Sequence, residues 1–575
     1  MRNRKSILSP LFLGFFLLAA CGPKTPVTTS QDANSSSASV CDEMFDDCGG
    51  SSATSSEEKI TLATDSATNY TFDETDTNKD GAISYEIFVR SFYDSDGDGV
   101  GDLNGVKEKL SYLQDLGVKT VWLMPIMPSP SYHGYDVSDY YSINSDYGTM
   151  DDFTALTAAA AKANIDIMID IVFNHSSSQN PWFTTSYQDY LNNNEASDSK
   201  KDWYVWSKTQ TSVCNHSYGS LYYEGRFDAG MPDFNTENEA VRQEMVNILN
   251  FWIGKGVKGF RFDAVKYFDY GNTDYNVSFL TYLHDTIQAA HPDVYFVGEN
   301  WESVGSTLNP YYRSTFESFF TFPSSLAAST NGSILQAAKA ITTGSQFSRD
   351  IETNETARKT LNPNGYSSYF LSNHDMDRAS HSLSGNYAKM AANITYLLPG
   401  TPYCYYGEEI SLKGKRVTNP DDQSDARRRL PMIWSKSDKT GQCNFPEKNR
   451  TDLATNDQVS LGAEDQLAAN FSITNHYKKV FHVRNHYPFF KKAVYKDLTS
   501  AISTSSTHVI AYSLTNGDDS AIVIHNCETL NHVKIDLGEL TGYHIADSVS
   551  CTRTVPELEG TILKLGRMSS VILTR

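Results

Sequence analysis

Three acidic residues follow apolar segments at positions where carboxylates could act on a glycosidic bond. Asp263 ends the segment GFRFD, Glu299 follows the segment FVG, and Asp375 ends the segment SNHD. A glycosidase needs one carboxylate that attacks the anomeric carbon and a second carboxyl group that protonates the departing oxygen. Each residue alone could instead cap a following helix. Three of them, each near an Arg, Trp or His, together predict a site with this nucleophile and acid chemistry.

The segments that carry these acids belong to an alternating series of strands and helices. We predict eight strands, at 83–92, 118–126, 165–175, 257–265, 294–301, 316–322, 369–375 and 401–406. Amphipathic stretches predict helices between them, at 105–116, 150–164, 239–255, 278–290, 334–342 and 387–398. Such a series is typical of an α/β fold with a closed (β/α)8 TIM barrel, whose strands end on one common face. The three acids should therefore meet.

The barrel is predicted over 71–175 and 236–488, with two further globular parts. Residues 176–235 form an insertion after the third strand that is too long for a simple connection, which predicts a small subdomain. Residues 489–575 have short alternating runs and turn signals such as Asn516-Gly517, which predict an antiparallel β-sandwich.

The first 70 residues precede the predicted fold. Residues 1–20 combine a basic start with a short apolar run, as in a signal peptide. This run ends in LAAC, which resembles the bacterial lipobox and predicts lipid attachment at Cys21; an ordinary secretory signal is the alternative. The Ser- and Thr-rich residues 21–70 read as a flexible tether. The protein is therefore expected outside the cytoplasm and anchored to a membrane.

The amino-acid composition restricts the kinds of partner that the protein is expected to bind. The chain has 48 Lys and Arg against 69 Asp and Glu, a net charge of −21, which disfavours binding to nucleic acid. The 34 Tyr, 29 Phe and 7 Trp suit flat, uncharged ligands such as sugar rings, although aromatic residues also fill protein cores. The spacing of the cysteines does not suggest a zinc site. We expect a monomer.

Four segments resemble, in order, the signature segments of the α-amylase family, glycoside hydrolase family thirteen. They are DIVFNH at 170–175, GFRFDAVK at 259–266, GENW at 298–301 and FLSNHD at 370–375, and MPDFN at 231–235 resembles the fifth segment. The similarity extends from about residue 83 to residue 434. It implies a (β/α)8 barrel that hydrolyses α-glucans through a covalent glycosyl-enzyme intermediate, with retention of anomeric configuration.

The resemblance also implies a role for each site residue. Asp263 would be the nucleophile, Glu299 the general acid and base, and Asp375 the group that distorts and hydrogen-bonds the sugar. The residues implied to bind substrate are Tyr135, Asp136, His175, Arg261, Lys266 and His374. Among them, Tyr135 would stack beneath the sugar ring, and the two histidines would donate hydrogen bonds to sugar hydroxyls.

Elementary chemistry agrees with the roles of the first two acids. Arg261 lies two residues before Asp263, on the same strand face, and its charge should keep that aspartate ionised. Glu299 must hold a proton at working pH, and Trp301 on the same face is a plausible source of the desolvation that raises a carboxyl pKa.

A loop after the first strand predicts a calcium site. The segment DSDGDGVGD at 94–102 alternates carboxylates with small residues, and oxygen ligands suit calcium. It resembles the calcium loop of the oligosaccharide-cleaving branch of the family. The ligands are expected to be Asp94, Asp96, Asp98, the carbonyl of Val100, and Asp102. A solvated acidic turn is the alternative. Residues 76–81 resemble the start of an EF-hand calcium loop and are interpreted as a turn. A second calcium at Asn174 is left open, because Tyr267 stands where the family has a histidine whose carbonyl binds that ion.

The bond specificity is predicted from Ala264 and from the fifth segment. Within the family, Ala after the nucleophile favours α-1,4 bonds and Val favours α-1,6 bonds, and the Met-Pro-Asp form resembles the neopullulanase and intermediate amylase branches. We therefore predict an endo-acting α-amylase acting on starch, glycogen or maltodextrins. The alternatives are a neopullulanase or cyclodextrinase, a transglycosylase, and a catalytically silent glucan-binding surface protein. Trp203 and Trp206 could extend the sugar cleft or pack inside the inserted subdomain.

Overall fold

The computed structural model describes residues 61–62, 83–325, 332–416, 425–445, 459–487 and 489–575. The predicted signal peptide, Cys21, the tether and the turn at 76–81 lie outside these residues. The described residues belong to one compact unit, Lys59–Arg575. None of its described helices has both the length and the apolar character needed to span a bilayer.

Eight parallel strands form a barrel, which confirms the predicted fold class. The strands are Ser84–Ile87, Thr120–Leu123, Asp166–Ile171, Gly259–Phe262, Tyr295–Gly298, Ser318–Phe320, Tyr366–Ser368 and Tyr403–Tyr405. Each strand pairs with the next along the chain up to the seventh, and the first pairs with the eighth. A single parallel bridge from Phe370, two residues after the seventh strand, to Tyr403 in the eighth strand closes the ring.

The observed strands are shorter than the predicted ones, and the seventh lies earlier. Prediction placed it at 369–375, whereas the ladder comprises Tyr366–Ser368, paired with Ser318–Phe320. The apolar run at 369–371 continues past the ladder because these side chains are buried at the mouth of the barrel. An apolar run thus marks burial, whereas pairing defines the strand.

The helices surround the barrel. Those near predicted positions are Leu103–Glu108 with Leu110–Leu116, Met150–Lys162, Glu239–Gly254, Thr273–Gln288, Ser333–Ala338 and Asn386–Leu397. The helices Gly344–Leu361 and Ile473–His486 were not predicted. The first of these two buries an ion pair, Arg358 Nη2 to Glu355 Oε2 at 2.6 Å, on its inner face, and this obscures its apolar periodicity.

Aromatic side chains fill the barrel below the site. Trp122, Phe320 and Tyr403 point inward, with ring centroids 4.8 to 6.1 Å apart. The ring of Trp122 also lies edge-on to His374, 5.8 Å away. Close packing of this layer gives the polar residues above it a rigid floor.

The insertion and the C-terminal region form the two structures that the sequence indicates. The insertion contains the helix Pro181–Leu191 and a three-stranded antiparallel sheet of Trp206–Ser207, Leu221–Glu224 and Cys214–Tyr218. Trp203 and Trp206 are buried, and Trp206 stacks on Phe183, so both tryptophans pack inside this subdomain.

The C-terminal region consists of two antiparallel sheets. The strands of the five-stranded sheet are Val494–Asp497, Val509–Asn516, Asp519–Asn526, Ser569–Thr574 and His544–Ser550, and those of the four-stranded sheet are Ser503–Thr504, Val533–Asp536, Ile562–Leu565 and Glu557–Glu559. A shared apolar core that includes Ile522, Ile535 and Leu563 joins the sheets into a sandwich.

Candidate active site

Asp263 and Glu299 lie around one guanidinium group. Asp263 follows the fourth barrel strand, and its Oδ1 accepts a hydrogen bond from Arg261 Nη1 at 2.7 Å. Arg261 Nη2 lies 3.8 Å from Oε2 of Glu299, which follows the fifth strand. The same Oε2 accepts a hydrogen bond from the backbone N–H of Ala264 at 2.9 Å. The structure therefore brings the predicted nucleophile and the predicted acid together.

The protonation of Glu299 suits a general acid. Burial raises the pKa of Glu299 to about 7, and the negative charges of Asp263 and Asp375 add to this effect, while Arg261 opposes it. The desolvation that the sequence predicts is thus present. The ring of Trp301, the proposed source of this desolvation, packs against the ring of Phe322, with centroids 4.6 Å apart.

Arg261 is fixed by a residue that was not predicted to belong to the site. Its Nη1 donates to Asp170 Oδ1 at 2.8 Å and to Oδ2 at 3.1 Å, and both side chains are fully buried. Burial raises the pKa of Asp170 to about 6, although Arg261 opposes the rise. Asp170 begins the segment DIVFNH and lies two residues after Met168, on the inward face of the third strand. Side chains alternate between the two faces of a strand, and this alternation could have identified Asp170 as an inward-facing residue.

Asp375 is held by two cationic groups. His374 Nε2 lies 2.9 Å from Asp375 Oδ2, and Arg429 Nη2 lies 2.8 Å from Asp375 Oδ1. Burial alone would raise the pKa of Asp375, but the charges of His374 and Arg429 outweigh burial and hold this pKa well below its usual range. Arg429 was not predicted, since it is one of three consecutive arginines and nothing local distinguishes it.

His374 carries a positive charge at neutral pH. Burial lowers its pKa, but Asp375 and Glu86 outweigh burial and raise it to about 9. Its Nδ1 lies 2.5 Å from Glu86 Oε1, and its Nε2 lies 2.6 Å from the hydroxyl of Tyr135. Glu86 was also missed, and it lies on the inward face of the first strand. Because both N–H groups of His374 have protein partners, its contact with a sugar stays a prediction.

Tyr135 reaches the centre of the site, and Asp136 is hydrogen-bonded to two serine hydroxyls of its own loop. The Tyr135 hydroxyl donates to Asp170 Oδ2 at 3.0 Å, and its ring stacks on the His374 ring with centroids 5.4 Å apart. Asp136 Oδ1 accepts hydrogen bonds from the hydroxyls of Ser129, at 2.5 Å, and Ser131. Asp136 thus fixes its own loop, and its contact with substrate stays a prediction.

His175 and Lys266 each form a hydrogen bond to a backbone carbonyl at the site. His175 Nε2 donates to the carbonyl of Tyr135 at 3.1 Å, and burial lowers the pKa of this histidine, which favours its neutral form. Lys266 Nζ donates to the carbonyl of Trp301 at 2.6 Å and to Glu302 Oε1 at 3.1 Å. Lys266 therefore fastens the loop that follows Glu299.

The predicted calcium loop brings three carboxylates together. The ligand oxygens of Asp94, Asp96 and Asp102 lie within 4.8 Å of one another. Oxygens this close fit a hard cation such as calcium. Asp98 is not among these three, and its Oδ1 accepts a hydrogen bond from the Val100 N–H at 2.7 Å. Ligation by Asp98 and by the Val100 carbonyl stays a prediction.

The fold and the site together define a class of enzyme. A closed (β/α)8 barrel places an arginine-paired aspartate, a protonatable glutamate and a third carboxylate at the ends of its strands, which is the arrangement of a glycoside hydrolase that uses paired carboxyl groups. The model of the α-amylase catalytic domain matches residues 86–493, more than half of the chain. The chain belongs to the α-amylase family, glycoside hydrolase family thirteen, which implies an α-glucan substrate.

Known proteins show how close the relationship is. Alpha-amylase 3 of Dictyoglomus thermophilum is 36% identical over 78% of this chain and 85% of its own length. Glucan 1,6-alpha-glucosidase of Streptococcus dysgalactiae is 30% identical over 77% of this chain and 90% of its own length. Among solved structures, Eubacterium rectale Amy13B has a TM-score of 0.77 and 33% identity, covering 86% of this chain and 95% of that chain. The alpha-amylase of H. orenii has a TM-score of 0.72 and 32% identity, covering 86% and 99%.

Proposed function

We propose that this protein is an endo-acting α-amylase that hydrolyses α-1,4 bonds of starch, glycogen or maltodextrins with retention of anomeric configuration. The arrangement around Arg261 carries the proposal. Its guanidinium contacts Asp263, so that this carboxylate is paired and available for attack, and it also lies close to Glu299, which holds its proton near neutral pH. Two carboxyl groups around one side chain suit the short separation of a retaining mechanism.

The choice of the α-1,4 bond has support from relatives and from one residue. The relative named an alpha-amylase is 36% identical, whereas the glucan 1,6-alpha-glucosidase is 30% identical. Ala264 has a left-handed backbone, with φ of 52°, and its N–H holds Glu299. Within the family, alanine at this position favours α-1,4 bonds and valine favours α-1,6 bonds. A neopullulanase or cyclodextrinase and a transglycosylase remain the alternatives.

Product analysis tests the proposal. The enzyme is incubated with starch, pullulan and maltotriose, and the products are separated by size while NMR follows the anomer released first. We expect mixed maltooligosaccharides from starch, first released as the α-anomer, and little cleavage of pullulan. Panose from pullulan would identify a neopullulanase, and oligosaccharides longer than the substrate would identify a transglycosylase.

We also propose that the loop at 94–102 holds calcium. Asp94 and Asp102 are anchored by backbone donors, for instance Gly99 N to Asp94 Oδ2 at 2.7 Å and Gly105 N to Asp102 Oδ1 at 2.8 Å. The loop also contacts a distant segment, through Asn444 N to Gly99 O at 2.8 Å. A cation that neutralises three adjacent carboxylates would stabilise both segments.

Removal of calcium should destabilise the enzyme. A ligand present at about 100 times its Kd contributes about 2.7 kcal/mol to the folded state, so excess chelator should lower the Tm by several degrees. Calorimetry with and without chelator measures the change. The double variant Asp94→Asn, Asp96→Asn should lose this sensitivity, whereas Asp518→Asn, an exposed change in the sandwich, should keep it. An unchanged Tm of the wild-type enzyme in chelator would contradict the calcium proposal.

We further propose that lipid on Cys21 anchors the enzyme to a membrane outside the cytoplasm. The support is the apolar run that ends in LAAC. Replacing the cysteine in Cys21→Ala removes the thiol that would be acylated, so the enzyme should move from the membrane to the soluble fraction with its activity intact. Fractionation followed by an amylase assay measures this, with Cys41→Ala as the matched control. Membrane association of Cys21→Ala would refute the anchor.

A further inference from the structure

A polar cavity lies at the end of the barrel opposite to the catalytic site. Its volume is about 340 Å³, and the starts of seven of the eight barrel strands, all except the sixth, line it. Cavities of this size commonly hold small ligands. The reaction does not use this cavity, because Asp263 and Glu299 follow the other ends of their strands.

The charged groups around the cavity balance one another. Asp166 and Asp293 supply two carboxylates. Lys258 and Lys491 supply two ammonium groups. A phosphate group would need an excess of positive charge, and a calcium ion would need an excess of carboxylate oxygens. The balanced lining therefore favours a ligand that has no net charge.

The lining also includes a hydroxyl group and an aromatic ring. Thr401 is 4% exposed, and its Oγ1 has no hydrogen-bond partner among the residues that the structure describes. Such a hydroxyl can donate to a bound molecule or accept from it. The half-buried ring of Tyr295 packs parallel to the ring of Tyr366, with centroids 6.1 Å apart, and this contact fixes its orientation. Charged groups and hydroxyls can bond the hydroxyls of a sugar, and a ring can pack on its apolar face.

The volume of the cavity restricts the size of the ligand. Because one molecule of liquid water takes up about 30 Å³, the cavity corresponds to about ten waters. One hexose has about a dozen non-hydrogen atoms, which fits this space. We infer that the cavity is a second saccharide site, which binds one uncharged sugar of the size of glucose. This inference goes beyond the proposed function, because the site takes no part in cleavage.

Binding in the cavity should stabilise the fold without changing catalysis. The sugar would contact strands that are distant in sequence, and also Lys491, which precedes the sandwich strand Val494–Asp497. A ligand that binds only the folded protein raises its Tm. The four-residue strand Gly259–Phe262, about 13 Å long, separates the cavity from Asp263, so changes in the cavity should leave kcat and KM on starch unaltered.

Thermal unfolding in increasing concentrations of D-glucose tests the inference. A ligand of about a dozen atoms is expected to bind with a Kd of about 1 mM, so about 100 mM D-glucose should raise the Tm by about 2 to 3 °C. L-Glucose perturbs the solvent equally but has the opposite handedness, and it should raise the Tm much less. Equal effects of the two enantiomers, or a rise with the zwitterion L-serine but none with D-glucose, would overturn the inference.

A catalytic-site variant shows which of the two sites binds the sugar. Asp375→Asn changes the catalytic pocket and leaves the cavity intact. The rise in Tm with D-glucose should therefore persist in this variant. Its loss in Asp375→Asn would assign the binding to the catalytic pocket and overturn the inference.

Two neighbouring lysines provide matched cavity variants. Lys491 lines the cavity, whereas the exposed Lys492 does not. Lys491→Met should raise the Kd for D-glucose, obtained from the concentration dependence of the Tm, at least about tenfold. Asp293→Asn, at an exposed position of the lining, should also raise the Kd, whereas Lys492→Met should not. All three variants should keep the wild-type kcat on starch. A wild-type Kd in both Lys491→Met and Asp293→Asn would overturn the inference.

Discussion

Asp263→Asn is expected to lower kcat on soluble starch by at least about 10⁴-fold. The amide keeps the shape of the side chain but cannot attack the anomeric carbon, so the covalent intermediate does not form. Arg261 keeps its two contacts with Asp170, at 2.8 and 3.1 Å, and this should preserve the local structure. Release of reducing ends measures the loss, and calorimetry with maltohexaose checks that binding remains.

The control for this variant is Asp293→Asn. Asp293 is an exposed aspartate just before the fifth barrel strand, Tyr295–Gly298, at the end of the barrel opposite to Asp263. It undergoes the same chemical change and should keep full activity and Tm. If Asp263→Asn retained starch hydrolysis within about tenfold of the wild-type rate, its assignment as nucleophile would be wrong.

Much of the fold follows from local patterns. A buried parallel strand requires a short apolar run, and a crossover helix requires an amphipathic stretch, so eight repeats of this pair indicate a closed barrel. The strand limits do not follow, as the seventh strand shows: residues 369–371 are as apolar as a strand, yet the ladder ends at Ser368. Backbone pairing depends on neighbours that are distant in sequence.

Site residues that directly follow an apolar segment could be predicted from the sequence. Site residues that reach the pocket from distant segments, or that lie inside a strand, could not. Asp263, Glu299 and Asp375 each end such a segment. Arg429 comes from a segment beyond the eighth strand, 54 residues after Asp375, and no local pattern places it there. Glu86 lies inside a strand, where a buried carboxylate becomes understandable only once His374 is found 2.5 Å away. Long-range charge pairs are the part that sequence reasoning misses.

The second large effect concerns the proton on Glu299. Because burial raises its pKa to about 7, kcat/KM should fall as pH rises through about 7, since the fraction of enzyme with protonated Glu299 decreases. Above this value the rate should drop about tenfold per pH unit. A profile of kcat/KM from pH 5 to 9, with maltohexaose as substrate, measures this decrease, which we call the alkaline limb.

The variant Glu299→Gln tests whether the alkaline limb is caused by the titration of Glu299. The amide cannot donate a proton, so kcat on maltohexaose should fall by about 10²- to 10⁴-fold and the alkaline limb near pH 7 should disappear. With 4-nitrophenyl α-maltoside the formation of the intermediate should be affected much less, because nitrophenolate departs without protonation. The charge of Asp375 also acts on Glu299, so Asp375→Asn should move the limb of any residual activity to lower pH. Persistence of the alkaline limb in Glu299→Gln would assign the titration to another group, because a glutamine side chain has no proton to lose in this range.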